Sequence, residues 1–269
     1  MKTYAITSGK GGVGKTNISA NLGIALSRLR QRVVVFDADI GLANLDVVFG
    51  CPISGTLQDV ISGVKTLPQV VHFGPEGVRF IPGGSGAESL FSLNHQQSER
   101  FLSELQTLSF NSDVLIFDTG AGIDSNVLGF LKAADEVLLV VTPDPSSLTD
   151  GYATVKSYLA DNGTAPIGVI VNMVDSEAEA KAVYDHLSSV VERFLKGHLT
   201  FAGYVRNDSQ ASAYIRRRVP FSVGNPNSPA SNDIARIAAA LLGQKAAPQS
   251  QDLVTKLKSM FSFGQRRTA

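Results

Sequence analysis

A glycine-rich loop with two lysines lies near the start of the chain, and its residue types and spacing suit phosphate binding. Its sequence, Gly-Lys-Gly-Gly-Val-Gly-Lys-Thr over residues 9–16, matches the pattern G-x-x-x-x-G-K-[ST] at every position. Glycines let backbone N–H groups wrap a phosphate, and the helix predicted to follow points its positive end at the same anion. The nucleotide-binding residues predicted here are Gly11, Gly12, Val13, Gly14, Lys15, Thr16 and Asn17.

Two of these side chains have a predicted chemical role. Lys15 is expected to reach the β- and γ-phosphates, and the Thr16 hydroxyl is expected to ligate Mg²⁺. Lys10 is an additional lysine that this pattern does not require. Two interpretations of Lys10 stay open, a solvated loop residue or a second cation at the phosphates, including those of a dimer partner.

Carboxylates follow two of the apolar runs. Asp37 and Asp39 come directly after one run, and Asp118 follows Val-Leu-Ile-Phe at residues 114–117. Open α/β sheets bind ligands at the carboxyl ends of their strands, so these groups are expected at one edge. We predict that Asp37 and Asp118 hold Mg²⁺ and that Asp39 orients an attacking water; helix-capping or turn aspartates are the alternative.

These residues need a scaffold, and the chain alternates short β-branched runs with helical patterns. This order predicts an α/β fold, a mostly parallel twisted sheet with helices on both faces. Predicted helices span Lys15–Leu29, Gln96–Leu108, Ser147–Leu159, Glu177–Leu195 and Pro229–Leu242. Predicted strands span Tyr4–Thr7, Val33–Phe36, Val78–Ile81, Val114–Phe117, Val137–Thr142, Ile167–Val171 and Phe201–Val205.

Composition excludes several classes of protein. The 269 residues are 43% hydrophobic and 18% charged, which is not the composition of a disordered chain. Acidic and basic residues balance at 24 each, which argues against a purely electrostatic DNA binder. A single cysteine, Cys51, excludes a disulfide framework within the chain and the paired-cysteine cluster sites of iron–sulfur carriers. We expect a soluble cytoplasmic protein without a signal peptide or membrane span.

The last part of the chain differs from the rest. We predict one domain over residues 1–243, a flexible linker over 244–251 and an amphipathic tail over 252–269. Lys256 and Lys258 lie off the apolar stripe of the tail, as in a helix that lies on an anionic lipid surface. A helix docked on its own domain is the alternative. The stripe consists of Leu253, Val254, Leu257, Met260 and Phe261.

The loop with its two lysines resembles the deviant phosphate-loop signature of the MinD/ParA family of ATPases. Residues 37–46 are similar to switch I of that family, and residues 118–122 to its switch II. The resemblance implies a P-loop NTPase fold, ATP/ADP and Mg²⁺ as cofactors, slow ATP hydrolysis and an ATP-driven homodimer. It also implies that Lys10 contacts the nucleotide across the dimer and that Asp39 supports hydrolysis.

The same resemblance implies roles near the adenine base and at the membrane. Asn172 would read the adenine edge, since an amide offers both a donor and an acceptor. Residues Arg206, Asn207 and Asp208 would flank the base. The tail would be a membrane-targeting helix, giving a cytoplasmic protein that reversibly binds anionic lipid of the inner membrane.

Four segments are most similar to the FlhG branch of the family, whose members regulate flagellar number and placement. They are residues 41–46, 118–123, 171–174 and 192–195. That branch implies flagellar partners: a transcriptional regulator, a component of the switch (C-ring) and the GTPase FlhF. Three alternatives stay open. They are a MinD-type division-site regulator, a ParA-like partition ATPase that binds DNA, and a nucleotide-gated adaptor that sequesters a flagellar transcription factor.

Overall fold

A computed structural model describes residues 1–39, 44–84, 90, 93–243 and 253–258. Its centre is a sheet of eight strands in the order β3-β4-β2-β5-β1-β6-β7-β8. Every pairing is parallel except that of β3 with β4. The strands are β1 Lys2–Ser8, β2 Val33–Ala38, β3 His72–Phe73, β4 Arg79–Ile81, β5 Val114–Ala121, β6 Glu136–Val141, β7 Ile167–Val174 and β8 Leu199–Arg206.

Helices cover both faces of the sheet. The strands are buried on both sides, as in Val33–Phe36, where alternate side chains join opposite apolar layers. The α-helices are α1 Lys15–Arg28, α2 Leu45–Phe49, α3 Leu57–Ile61, α4 His95–Phe110, α5 Ser125–Ala133, α6 Pro145–Ala160, α7 Glu177–Leu195, α8 Ser209–Arg216, α9 Phe221–Gly224 and α10 Pro229–Gly243. Short 3₁₀ turns lie at Leu67–Val70 and Pro75–Gly77.

The predicted fold class is confirmed. All seven predicted strands and all five predicted helices are present, with ends that shift by a few residues. The two-residue strand β3 and helices α2, α3, α5, α8 and α9 were not predicted. Helix α8 is only eight residues long and has one buried side chain, Ala211, so its apolar pattern is too short to indicate a helix from sequence.

The tail begins beyond α10, which ends at Gly243, the predicted domain boundary. The predicted linker lies outside the described residues, as do Met260 and Phe261 of the apolar stripe. Residues 253–258 are helical and lie on the domain itself. Leu257 is 2% exposed and lines a small cavity with Phe101, Phe117 and Phe130, while Leu253 and Val254 pack beside it.

The structure therefore has the described part of the tail, residues 253–258, docked on its own domain. No helix among the described residues is long and apolar enough to cross a membrane.

Candidate nucleotide-binding site

The glycine-rich loop joins β1 to α1 at the carboxyl edge of the sheet, in the middle of the strand order. Gly12 and Gly14 adopt left-handed conformations, with φ of +82° and +91°, which side chains rarely tolerate. A Cβ atom at Gly14 would also lie 2.5 Å from Nδ2 of Asn172. The loop therefore needs glycine at both positions for its backbone to turn around an anion.

Asp118 lies beneath this loop with Lys15, and both residues are buried. The Ser19 hydroxyl donates to Oδ1 of Asp118 at 2.8 Å, whereas Oδ2 has no hydrogen-bond partner among the described residues. Burial raises the pKa of Asp118 above its usual range, although the charge of Lys15 and the hydrogen bond from Ser19 oppose it. A buried carboxylate oxygen without a partner suits a cation nearby.

Asp37 lies beside Asp118, because β2 and β5 pair with these two residues in register. The carboxylate of Asp37 accepts the backbone N–H groups of Asp39, Asn44 and Leu45 at 3.0–3.2 Å. Burial raises the pKa of Asp37 to about 8, and the charge of Asp118 adds to the effect. Two buried carboxyl groups side by side favour a divalent cation between the sheet edge and a bound phosphate.

These donors fit a magnesium ion that is shared with a nucleotide. Thr16 and Asp118 are neighbours, since the Thr16 hydroxyl lies close enough to lower the pKa of Asp118. Within the described ranges, no three His, Cys, Asp or Glu side chains form a cage that could hold a metal alone. Mg²⁺ commonly takes one or two protein oxygens and completes its shell with phosphate and water, so this donor set is sufficient.

Asp39 lines a cavity of about 190 Å³ next to this site. Its Oδ1 atom would be 3.5 Å from a Cβ placed on Gly120, so the segment after β2 meets the carboxyl end of β5 here. Asp124 and Asn126 form part of the same wall. The cavity is large enough for several waters and opens beside the predicted Mg²⁺ ligands. Residues 40–43 of the switch I segment lie outside the described residues.

Lys10 is bound within its own chain. Its Nζ donates to Oδ2 of Asp144 at 3.0 Å and to the hydroxyl of Ser146, at the start of α6. Lys10 was a predicted site residue but Asp144 was not. The two residues are 134 positions apart, and no spacing pattern predicts a contact between them. Ser19 was missed as well, although its position four residues after Lys15 places it on the same face of α1.

Asn172 lies next to the loop near the carboxyl end of β7, which runs two residues beyond it to Val174, and its amide already has one partner. Nδ2 donates to the carbonyl oxygen of Val13 at 2.8 Å, and the side chain is buried. Asn172 therefore braces the phosphate loop. Its predicted contact with adenine stays a prediction.

The last residue of β8, Arg206, and the two residues that follow it make contacts inside the fold. Arg206 forms a bidentate ion pair with Asp233, whose side chain is fully buried. Asp208 caps α8 by accepting the N–H groups of Gln210 and Ala211. The backbone N–H of Asn207 donates to Val174 at the end of β7. Their predicted contact with the base also stays a prediction.

The fold and this site define a P-loop nucleotide-binding protein. A family model described as the CobQ/CobB/MinD/ParA nucleotide binding domain matches residues 4–221, so the chain belongs to that family. This confirms the predicted membership of the MinD/ParA group.

Two flagellar proteins are similar to this chain over most of its length. It is 41% identical over 231 residues to the antiactivator FleN of Pseudomonas aeruginosa, covering 86% of this chain and 82% of FleN. It is 38% identical over 262 residues to the flagellum site-determining protein YlxH of Helicobacter pylori, covering 97% of this chain and 88% of YlxH. The predicted resemblance to the FlhG branch, whose members include FleN and YlxH, is confirmed.

A solved structure shares the whole fold. The septum site-determining protein MinD of Pyrococcus horikoshii, complexed with Mg-ADP, aligns with a TM-score of 0.73 at 25% identity. The alignment covers 92% of this chain and 99% of that protein.

Proposed function

We propose that the chain is an ATP-dependent switch that binds Mg-ATP, forms a homodimer, docks reversibly on the inner membrane and regulates flagellar number and placement. The observation that carries the nucleotide chemistry is the unpartnered Oδ2 of Asp118, buried beneath a glycine loop beside Lys15 and Thr16. The flagellar role is supported by similarity to FleN and YlxH over most of the chain.

In this proposal the loop residues 11–17 bind the phosphates, and Lys15 neutralises charge on the β- and γ-phosphates. Thr16, Asp37 and Asp118 hold Mg²⁺, which neutralises charge on the phosphates when it is bound. Asp39 orients the attacking water from the adjoining cavity, and Lys10 of each subunit contacts the nucleotide of the other. Hydrolysis is slow and returns the protein to a cytoplasmic monomer.

The tail supports the membrane part of the proposal. Leu253, Val254 and Leu257 of its apolar stripe pack against the domain in the structure, so this part of the proposed lipid-binding face is covered. We infer that the ATP-bound dimer releases the tail, and that two tails bind anionic lipid far better than one. Phe261→Glu is then expected to abolish ATP-dependent sedimentation with anionic vesicles while ATP hydrolysis continues.

Two variants test the switch itself. Lys15→Ala is expected to lose ATP binding in calorimetry, and Asp39→Ala to bind ATP and remain a dimer in light scattering. A monomeric Asp39→Ala protein at saturating Mg-ATP would refute the assigned role of Asp39.

The partner is identified with the same Asp39→Ala protein, used as bait in native lysate with Mg-ATP. Enrichment of a flagellar transcription regulator, a switch component or FlhF supports the flagellar role. Enrichment of a septum inhibitor would move the same chemistry to division. DNA binding would instead favour a ParA-like partition ATPase, if the logarithm of the binding constant falls with the logarithm of salt concentration with a slope of several units.

A further inference from the structure

The ammonium group of Lys10 is engaged by the first turn of α6. Oδ2 of Asp144 accepts from it at 3.0 Å, and the Ser146 hydroxyl accepts a second hydrogen bond. The other oxygen of Asp144 accepts the N–H and the hydroxyl of Ser146 and so caps the helix. Two of the three donors of the ammonium are therefore satisfied within one chain.

The Asp144 carboxylate stays ionised over the whole range of working pH. The hydrogen bond from Lys10 lowers the pKa of Asp144 to about 2, and contacts with Ser146 add to the effect. The side chains of Lys10 and Asp144 are 41% and 50% exposed. An ion pair this exposed changes an equilibrium by at most about fivefold, so a bound triphosphate can displace it.

We propose that Asp144 is a positioning residue that holds Lys10 on its own subunit, so that pairing of two ATP-bound chains must first break the Lys10–Asp144 ion pair. The inference rests on the proposed function, in which Lys10 reaches the phosphates of the partner subunit. A symmetric dimer breaks the pair twice. The two effects multiply, so the pair weakens dimerisation by at most about 25-fold.

The capping role of Asp144 can be separated from its charge. Asp144→Asn keeps an oxygen that can cap α6 but loses the charge that holds Lys10. Asp144→Ser is a second variant that keeps a cap and loses the charge. The matched control is Asp161→Asn, since Asp161 is 46% exposed and pairs with Lys132 just beyond the opposite end of α6.

The measurement is the dimer dissociation constant in saturating Mg-ATP, from sedimentation velocity over a range of protein concentrations. We expect Asp144→Asn and Asp144→Ser to dimerise about three- to 25-fold more tightly than the unaltered chain. The gain should shrink in about 0.5 M KCl, because salt screens exposed ion pairs. Asp161→Asn should match the unaltered chain, and melting temperatures should agree to show that α6 remains capped.

Two results would overturn the inference. If both Asp144 variants dimerise as tightly as the unaltered chain or less tightly, the Asp144 carboxylate does not oppose dimerisation, or it makes a favourable contact within the dimer. An equal gain in Asp161→Asn would show a general charge effect. If the unaltered chain stays monomeric in Mg-ATP, the proposed function itself fails. This outcome is seen without any Asp144 variant, so it is distinct from a failure of the inference about Asp144.

Discussion

Lys256 of the tail and Asp135, just before β6, form an ion pair with 2.7 Å between Nζ and Oδ1. The two side chains are only 17% and 13% exposed. The second oxygen of Asp135 accepts the N–H and the hydroxyl of Thr3, so the carboxylate is held rigidly by β1. A lysine that could face lipid phosphate is therefore neutralised within the domain while the tail is docked.

Asp135→Asn should release the tail without ATP. The amide keeps an oxygen for Thr3 but leaves the charge of Lys256 uncompensated in a mostly buried place, which strongly destabilises docking. We expect sedimentation with anionic vesicles in the absence of nucleotide to rise about tenfold or more.

The same tail offers the control for this prediction. Glu99 pairs with Lys258 at 3.5 Å, and both side chains are half exposed. Glu99→Gln should therefore raise vesicle binding less than about fivefold. If both variants bind vesicles equally, Asp135 has no special part in holding the tail.

Asp37 gives the nucleotide-free chain a pH dependence. Burial raises the pKa of Asp37 to about 8, whereas an unfolded aspartate titrates near pH 4. The folded chain therefore binds this proton more tightly than the unfolded chain. The stabilisation is complete below about pH 4 and is lost as pH rises toward 8, by up to about 1.4 kcal/mol per unit.

The measurement is the free energy of urea unfolding between about pH 5 and 8, without nucleotide or Mg²⁺. Asp37→Asn stays neutral and should make the decline shallower, and the decline that remains comes from Asp118, whose pKa burial also raises. Asp113 is the control, because the hydrogen bond from Arg32 lowers its pKa to about 2, below this window. Asp113→Asn should shift the curve without changing its slope. An unaltered slope in Asp37→Asn would contradict the prediction.

Asn172→Ala should weaken nucleotide binding for a reason that does not involve the base. Its amide holds the Val13 carbonyl, and loss of one such hydrogen bond costs about 1 kcal/mol. We expect affinity for Mg-ATP to fall about fivefold and affinity for inorganic triphosphate, which has no base, to fall as well. Calorimetry measures both. Met173→Ala, at the 48% exposed neighbour, is the control. Unchanged triphosphate binding would restrict Asn172 to the adenine.

The strands could be predicted from the sequence because parallel strands are apolar on both faces. The continuous apolar run Val33–Phe36 shows this pattern without reference to the structure. The phosphate loop was predictable because its glycines have a backbone role at fixed spacing. The order of the strands was not predictable. Asp37 and Asp118 become neighbours only because β5 lies between β1 and β2, a consequence of packing over the whole chain.

Side-chain partners were the least predictable part. The sequence identified Lys10 and Asn172, but their partners, Asp144 and the Val13 carbonyl, lie 134 and 159 positions away. The tail shows the same limit. An apolar stripe with flanking lysines suits a lipid surface and a protein groove equally, and the groove beside Phe101 and Phe117 that receives Leu257 is formed only by the folded domain.

Gly9 lies directly against α6, and this contact predicts a loss of stability on substitution. A Cβ atom at Gly9 would lie 2.1 Å from the backbone C and O atoms of Asp150, which cannot move aside as a flexible side chain would. Gly9→Ala should therefore cost about 1–3 kcal/mol of unfolding free energy, as overpacking does in other cores.

Gly11 supplies the matched substitution in the same loop. A Cβ there meets no atom of the described chain within 4 Å, so Gly11→Ala should change stability by less than about 0.5 kcal/mol. Urea unfolding of both variants without nucleotide separates the effects, since neither depends on a ligand. Equal stability of the two variants would mean that α6 can shift away from the loop at little cost. In that event Lys10 and Asp144, which join the same two elements, would also move apart easily.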